Sequence, residues 1–115
     1  MAGYELNVTI KRGVDLLAMD KGLKPTSDPY VAVSLGDPDQ QNHKRLAVTN
    51  VITSNINPEW DETFTLFVSQ EDYDKSPHLV MRIYDRDRFT ADDEMGQAAL
   101  PLSQVPEETK DWQAK

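Results

Sequence analysis

The sequence predicts an all-β fold, an antiparallel β-sandwich, from three observations. Apolar and polar residues alternate with period two in several short segments, which is typical of strands with one buried face. No window carries a sustained apolar stripe of period 3.6, as an amphipathic helix would. Clusters of Pro, Gly, Asn and Asp separate the segments, which favours a sandwich over alternating βαβ units.

Six strands follow in order from this alternation. The first begins close to the N-terminus, the second ends at the turn cluster Gly36-Asp37-Pro38-Asp39, and the third is the least regular. Two polar segments, 69–78 and 103–110, are predicted as loops with room for short helical turns. The predicted strands are 5–11, 30–35, 45–53, 63–68, 79–84 and 97–102.

Length and charge bound the class of protein. The 115 residues, with the core predicted over about 5–102, fit one domain. The 12 Lys and Arg against 20 Asp and Glu leave a net charge of -8, which argues against nucleic-acid binding through phosphate contacts. After Leu102 only Trp112 offers a large apolar anchor, so the last edge strand is expected to be weak or missing. The chain is expected to be the N-terminal part of a longer protein.

The compartment is predicted from what the sequence lacks. Cysteine is absent, which excludes a disulfide scaffold, a thiolate metal site and a cysteine nucleophile, and fits the cytoplasm. Neither a signal peptide nor an apolar run of bilayer-spanning length is visible. Any membrane contact is therefore expected to be peripheral.

Acidic residues concentrate in two loops. Asp20 and Asp28 lie between the first two strands, and Asp85, Asp87 and the acidic run 92–94 follow the fifth. Loops at one end of an antiparallel sandwich cluster, so these carboxylates are expected to converge. A hard divalent cation relieves the resulting repulsion, and Ca²⁺ takes six to eight oxygen ligands in a flexible geometry. The sequence therefore predicts a calcium site.

These acids also allow other interpretations. Asp is a favoured turn residue, so spacing alone leaves solvated loop acids as an equal alternative. A helix-loop-helix calcium hand starting at Asp85 fails, because Thr90 and Gly96 stand where Gly and Glu are required. A phosphatase-type Asp-x-Asp motif requires a parallel α/β scaffold larger than this chain. A metal-dependent hydrolase also lacks a base, a nucleophile and an oxyanion donor set.

Four ordered stretches resemble the motifs of the C2 domain family over about 6–102. The resemblance implies an eight-stranded antiparallel sandwich with lipid-binding loops at one end, and the early first strand favours the circularly shifted topology. The run 89–106 is similar to the C2 domains that open HECT-type ubiquitin ligases. The matching stretches are Ser27-Asp28-Pro29-Tyr30-Val31, Asn57-Pro58-Glu59-Trp60-Asp61-Glu62-Thr63-Phe64, Tyr84-Asp85-Arg86-Asp87 and Asp93-Glu94-Met95-Gly96.

The family resemblance also implies a ligand set for two or more Ca²⁺ ions. Five carboxylates carry -5 and two ions bring +4, so the loops would become nearly neutral towards anionic lipid. The stretch 21–27 is longer than is common in the family. The implied ligands are the side chains of Asp20, Asp28, Asp85, Asp87 and Asp93 and the backbone carbonyls of Met19 and Arg86.

Residues near the loop tips are candidates for lipid contact. Leu23 and Phe89 are apolar and could enter the headgroup boundary, and Lys24, Arg86 and Arg88 could meet phosphates. Packing of Leu23 or Phe89 on its own loop, or pairing of Arg86 with a carboxylate, is the alternative for each. A separate lysine-rich phosphoinositide patch, found in many family members, is not expected here.

The predicted function is Ca²⁺-dependent binding of anionic phospholipid membranes by a peripheral targeting module that is not itself an enzyme. The parent protein could still be an enzyme, such as a ubiquitin ligase, a lipase or a kinase. The alternative is a protein-interaction or autoinhibitory domain with little or no calcium dependence, which docks on a partner or on another domain of its own chain. The predicted location is the cytoplasm, with recruitment to membranes.

Overall fold

A computed structural model describes residues 3–14, 16, 27–40, 44–75, 77–87 and 89–105. This part of the chain contains six strands, one short α-helix and a 3-10 turn. In chain order they are β1 (Gly3–Arg12), β2 (Pro29–Gly36), β3 (Ala47–Val48), β4 (Glu59–Ser69), α1 (Gln70–Asp74), β5 (His78–Asp85), β6 (Asp93–Pro101) and the 3-10 turn Leu102–Gln104.

The strands form two sheets. β1 pairs with β4, and the second sheet has the order β3-β2-β5-β6. Every pairing in the described part is antiparallel, which confirms the predicted fold class. Six strands are described where the family resemblance implies eight, and the circularly shifted topology stays a prediction.

The core lies between the two sheets. Alternate residues of β1 and β4 face it, among them Val8, Leu66 and Val68, and their neighbours along each strand are exposed. Val33 and Met81 meet them from the larger sheet. The period-two pattern of β1 therefore predicts its buried face, because strand side chains alternate between faces.

The larger sheet is buried on both faces at its centre. Ala32 and Val80 point away from the core and are nevertheless buried. Part of the cover comes from the 37–40 loop, because the buried Arg82 guanidinium donates to the carbonyl oxygens of Pro38 at 3.1 Å and Gln40 at 2.6 Å. Alternation in β2 and β5 therefore does not mark a solvated face.

Four elements differ from the sequence prediction by more than two residues. The fourth strand begins at Glu59 instead of residue 63. The third strand is only Ala47–Val48, because beyond it the backbone keeps single bonds to β2 instead of a regular ladder, such as the one from Thr49 N–H to the Val31 carbonyl at 2.9 Å. The segment predicted as a loop contains α1, capped by Ser69, whose hydroxyl accepts from the Asp72 amide at 3.1 Å. The sixth strand begins at Asp93 instead of residue 97.

Candidate functional site

Strand register brings the described acids of the two loops to one end of the larger sheet. Asp85, the last residue of β5, lies opposite Pro29 on one side and Asp93 on the other. Asp28 directly precedes Pro29. Residues opposite each other in an antiparallel ladder share a face, with Cβ atoms roughly 4.5–5.5 Å apart. Asp85 and Asp93 therefore project from the same face at this end.

Backbone hydrogen bonds tie the base of the site together. Asp85 is 4% exposed, and its Oδ1 accepts from the Asp28 amide at 2.8 Å. The Arg86 amide returns a bond to the Asp28 carbonyl oxygen at 3.0 Å. A third loop joins through Ser54, whose amide donates to Asp28 Oδ1 at 2.7 Å. Ser54 has a φ of 54°, in the left-handed region, so its backbone is strained in the conformation that donates to Asp28.

Asp87 is held by its own loop. Its Oδ1 accepts from the amides of Phe89 at 2.9 Å and Thr90 at 3.4 Å. The Phe89 amide, and after it Thr90, lowers the pKa of the Asp87 carboxyl below its ordinary value of 3.8. Donors aimed at a carboxylate favour its charged form. The Asp87 side chain is therefore a negatively charged carboxylate at neutral pH, which can act as a ligand for a cation.

Asp92 and Asp93 are neighbours with different surroundings. Asp93 is exposed at the start of β6, opposite Asp85. Asp92 is half-buried, and its Oδ1 accepts from the Asp87 amide at 2.9 Å while its Oδ2 accepts from the Tyr30 hydroxyl. Sequence reasoning does not find this role of Asp92. Tyr30 belongs to the Ser27–Val31 motif, but no local pattern pairs it with an acid 62 residues later.

Tyr30 belongs to an aromatic cluster beneath this loop. Its ring stacks on Tyr84, with centroids 5.5 Å apart and an interplanar angle of 21°. The Arg45 guanidinium lies 4.7 Å from the Tyr84 centroid and 5.6 Å from that of Tyr30. Burial, and after it the bond to Asp92, raises the pKa of the Tyr30 hydroxyl above 10.0. At neutral pH Tyr30 is therefore a protonated donor.

The lipid candidates are only partly described. Phe89 is 93% exposed at the loop tip, and Arg86 is also exposed. These two residues present an apolar and a cationic side chain beside the acids. The other predicted residues, for metal and for lipid, lie outside the described part of the chain: Met19, Asp20, Leu23, Lys24 and Arg88.

The described acids carry the ligand atoms that a hard cation prefers, but they are not arranged as a complete coordination shell. Within the described ranges, no three acidic or histidine side chains are gathered as a metal site. The carboxylates of Asp28, Asp85 and Asp87 instead accept from backbone amides. Their carboxylate oxygens are also the kind of ligand atom that Ca²⁺ binds. A carboxylate has about four lone-pair sites, so a hydrogen bond to one oxygen does not by itself exclude an ion.

A groove lies at the opposite end of the molecule, where Gly36 pairs with His78. Its walls include Leu35, Phe67 and Pro77, and charged residues of both signs surround it. The acids of the candidate site take no part in it. The two ends therefore differ in chemistry: clustered acids lie at one end, and at the other apolar side chains lie among charged residues of both signs.

Comparisons with known proteins agree with this architecture. A family model described as "C2 domain" matches residues 4–114. Protein C2-DOMAIN ABA-RELATED 5 of Arabidopsis thaliana is 42% identical over 97 residues, which are 84% of this chain and 42% of that protein. The chain spans about half the length of the Arabidopsis relatives that it matches.

Two solved structures have the same fold as this chain and are identical to it at more than a fifth of the aligned residues. The C2A domain of plant Extended Synaptotagmin 1 matches with a TM-score of 0.73 and 30% identity, covering 93% of this chain and 76% of that one. The C2A and C2B domains of Extended-Synaptotagmin 2, calcium bound, match with a TM-score of 0.70 and 26% identity, covering 89% and 35%. Within the described ranges, no helix has the length and apolar character needed to cross a bilayer. Family model, relatives and fold agree, and the chain belongs to the C2 domain family.

Proposed function

We propose that this C2 domain binds anionic phospholipid membranes in a Ca²⁺-dependent manner, as a peripheral membrane-targeting module. One observation carries the proposal: the register of β2, β5 and β6 places Asp28, Asp85 and Asp93 at one end of the sheet. Asp87 follows two residues after Asp85, in the same loop. A similar solved structure is calcium bound, which supports the same ion here.

A cation at the base of the site would stabilise the buried carboxylate of Asp85. A carboxylate removed from water is costly unless it is paired or hydrogen-bonded. Asp85 is 4% exposed, and its Oδ1 accepts from the Asp28 amide at 2.8 Å. An ion held by Asp20, Asp28, Asp85, Asp87 and Asp93, with the carbonyls of Met19 and Arg86, would offset both the burial and the mutual repulsion.

Bound ions would also neutralise most of the negative charge on the surface that faces the lipid. Two Ca²⁺ bring +4 to the -5 of the ligand carboxylates, which removes most of the repulsion from anionic headgroups. Phosphate oxygens could then complete the coordination. Phe89, with Leu23, would enter the interface, while Arg86, Lys24 and Arg88 would contact phosphates.

The domain is proposed to act as a targeting unit within a larger protein. A C2 domain on its own is not catalytic, and related domains occur within enzymes. Recruitment from the cytoplasm to a membrane would therefore position whatever accompanies it, and another domain of the same chain is the alternative docking partner. The resemblance to HECT-type ligases stays a prediction.

Vesicle sedimentation tests the proposal. The domain is expected to pellet with phosphatidylserine-containing vesicles in Ca²⁺ and to stay in the supernatant in EGTA or with phosphatidylcholine alone. Asp85→Asn combined with Asp87→Asn should abolish pelleting. The control, Glu5→Gln with Asp39→Asn, removes two charges at exposed positions outside the two acid-bearing loops and should pellet normally. Pelleting that is indifferent to EGTA would overturn the proposal.

A second candidate function has one observation in its favour. The described acids do not form a closed metal site, as expected of a C2 domain that docks on protein with little or no calcium dependence. Calorimetry with Ca²⁺ separates the two candidates. Heat of binding and a rise in melting temperature support the calcium module, because a ligand specific for the folded state stabilises it. Neither effect, together with lipid-free capture of a partner, supports the docking domain.

A further inference from the structure

Asp92 connects the loop that carries Asp87 to the sheet beneath it. One carboxylate oxygen accepts from the Asp87 amide at 2.9 Å, and the other accepts from the Tyr30 hydroxyl. Asp87 lies on the loop, whereas Tyr30 lies in β2. A single side chain therefore holds two segments that are remote in sequence.

The Tyr30 end of this connection is well anchored. Tyr30 is 5% exposed, pairs with Tyr84 across the β2–β5 ladder and stacks on its ring. Arg45 covers both rings and its Nη1 lies 3.4 Å from the Tyr30 oxygen. Such packing gives the hydroxyl little freedom, so it can serve as a fixed donor.

Asp92 and its neighbour have different partners. Asp93 begins β6, lies opposite Asp85 and shares its face of the sheet. Asp92 directly precedes the strand, and both of its carboxylate oxygens accept hydrogen bonds, one from the Tyr30 hydroxyl and one from the Asp87 amide. The contacts of Asp92 are therefore those of a structural link between loop and sheet.

We propose that Asp92 is a positioning residue that fastens the loop carrying Asp87 and Phe89 to the sheet through Tyr30, and is not itself an ion ligand. This inference rests on the proposed calcium function and assigns the loop's geometry to a residue outside the ligand set. By fixing the Asp87 amide, Asp92 sets where the Asp87 carboxylate stands. An unfastened loop would have to be ordered when the ion binds, which weakens affinity.

Two substitutions of the same residue distinguish positioning from ligation. Asp92→Asn keeps a carbonyl oxygen for the Asp87 amide and gains an amide that can donate to the Tyr30 oxygen, but it loses the charge. Asp92→Ala removes both hydrogen bonds. Calorimetric Ca²⁺ titration should show affinity within about threefold of wild type for Asn and roughly tenfold weaker for Ala. Equal losses of affinity in the two variants would make Asp92 a ligand and overturn the inference.

Tyr30→Phe removes the fixed donor and keeps the stacked ring. We expect a loss of calcium affinity between those of the Asn and Ala variants, with the melting temperature in EDTA close to wild type. Asp39→Ala controls for the removal of one charge, because Asp39 lies in an exposed turn at the other end of β2. Calcium affinity unchanged in Tyr30→Phe would contradict the role of this tyrosine.

A metal-free measurement separates this inference from the proposed function. In EDTA, Asp92→Ala should accelerate hydrogen exchange at the Asp87 amide by about tenfold or more, while amides in the middle of β2 and β5 stay protected. Unchanged exchange at Asp87 would overturn the fastening contact. A wild-type domain that binds no Ca²⁺ would instead overturn the calcium function, and the exchange result would still decide whether Asp92 fastens the loop.

Discussion

Asp85 and Asp87 stand two residues apart in the same motif but are held in different ways. Asp85 ends β5, is buried, and is bound to the Asp28 amide of another loop. Asp87 lies beyond the strand and is bound to the amides of Phe89 and Thr90 in its own loop. The base of the candidate site is therefore built by the sheet, and its tip by a short local turn. Changes at the base should disturb the fold, and changes at the tip should affect binding far more than stability.

The largest expected effect separates the hydrogen bond of Asp85 from its charge. Asp85→Ala leaves the Asp28 amide without this acceptor, whereas Asp85→Asn keeps an oxygen for it. Denaturant unfolding in EDTA should give Asp85→Ala a free energy of unfolding roughly 1–3 kcal/mol below that of Asp85→Asn. Both variants should lose the calcium-induced rise in melting temperature.

The matching pair at Asp87 is the control for that comparison. The free energies of unfolding of Asp87→Ala and Asp87→Asn in EDTA should be nearly equal, because the hydrogen bonds of this carboxylate are exposed and local. A difference as large as the one at Asp85 would show that the tip is as much part of the fold as the base.

A smaller effect concerns membrane affinity at the tip. Phe89→Ala should weaken binding to phosphatidylserine vesicles in Ca²⁺ by about tenfold, since inserting a Phe side chain is worth on the order of 1–2 kcal/mol when burial is partial. Calcium affinity without lipid should not change. Phe67→Ala removes another exposed aromatic side chain, outside the loops, and should bind vesicles like wild type. Equal weakening in both variants would remove Phe89 from the membrane contact.

The smallest effect is a pH dependence at Asp87. Its folded pKa is lowered below the ordinary 3.8, chiefly by the Phe89 amide. The associated stability is present above that ordinary value and is lost as the pH falls through the folded pKa. Carbon-13 titration of the Asp87 carboxyl without metal should give a midpoint below 3.8. A midpoint at or above this value would mean that the local turn does not hold the carboxylate.

The alternation of apolar and polar residues predicts much of the fold. It fails where contacts between residues remote in sequence determine which side chains are buried. The alternation in β1 predicts both the strand and its buried face, because β1 has solvent on the other side. The same alternation in β2 misleads, since the 37–40 loop, held by Arg82, helps to cover the second face. Helix α1 is open to prediction only through its Ser69 cap, which is a weak signal in a polar segment.

The sequence by itself determined the antiparallel sandwich, the acid-bearing loops and the C2 family, because these depend on residue type, period and motif order. Only the tertiary structure decided which acids share a face, because that depends on the register of β5 and β6. It also decided that Asp92 meets Tyr30 while Asp93 lies opposite Asp85. Two adjacent aspartates look alike in a sequence, and only contacts with residues remote along the chain give them different partners.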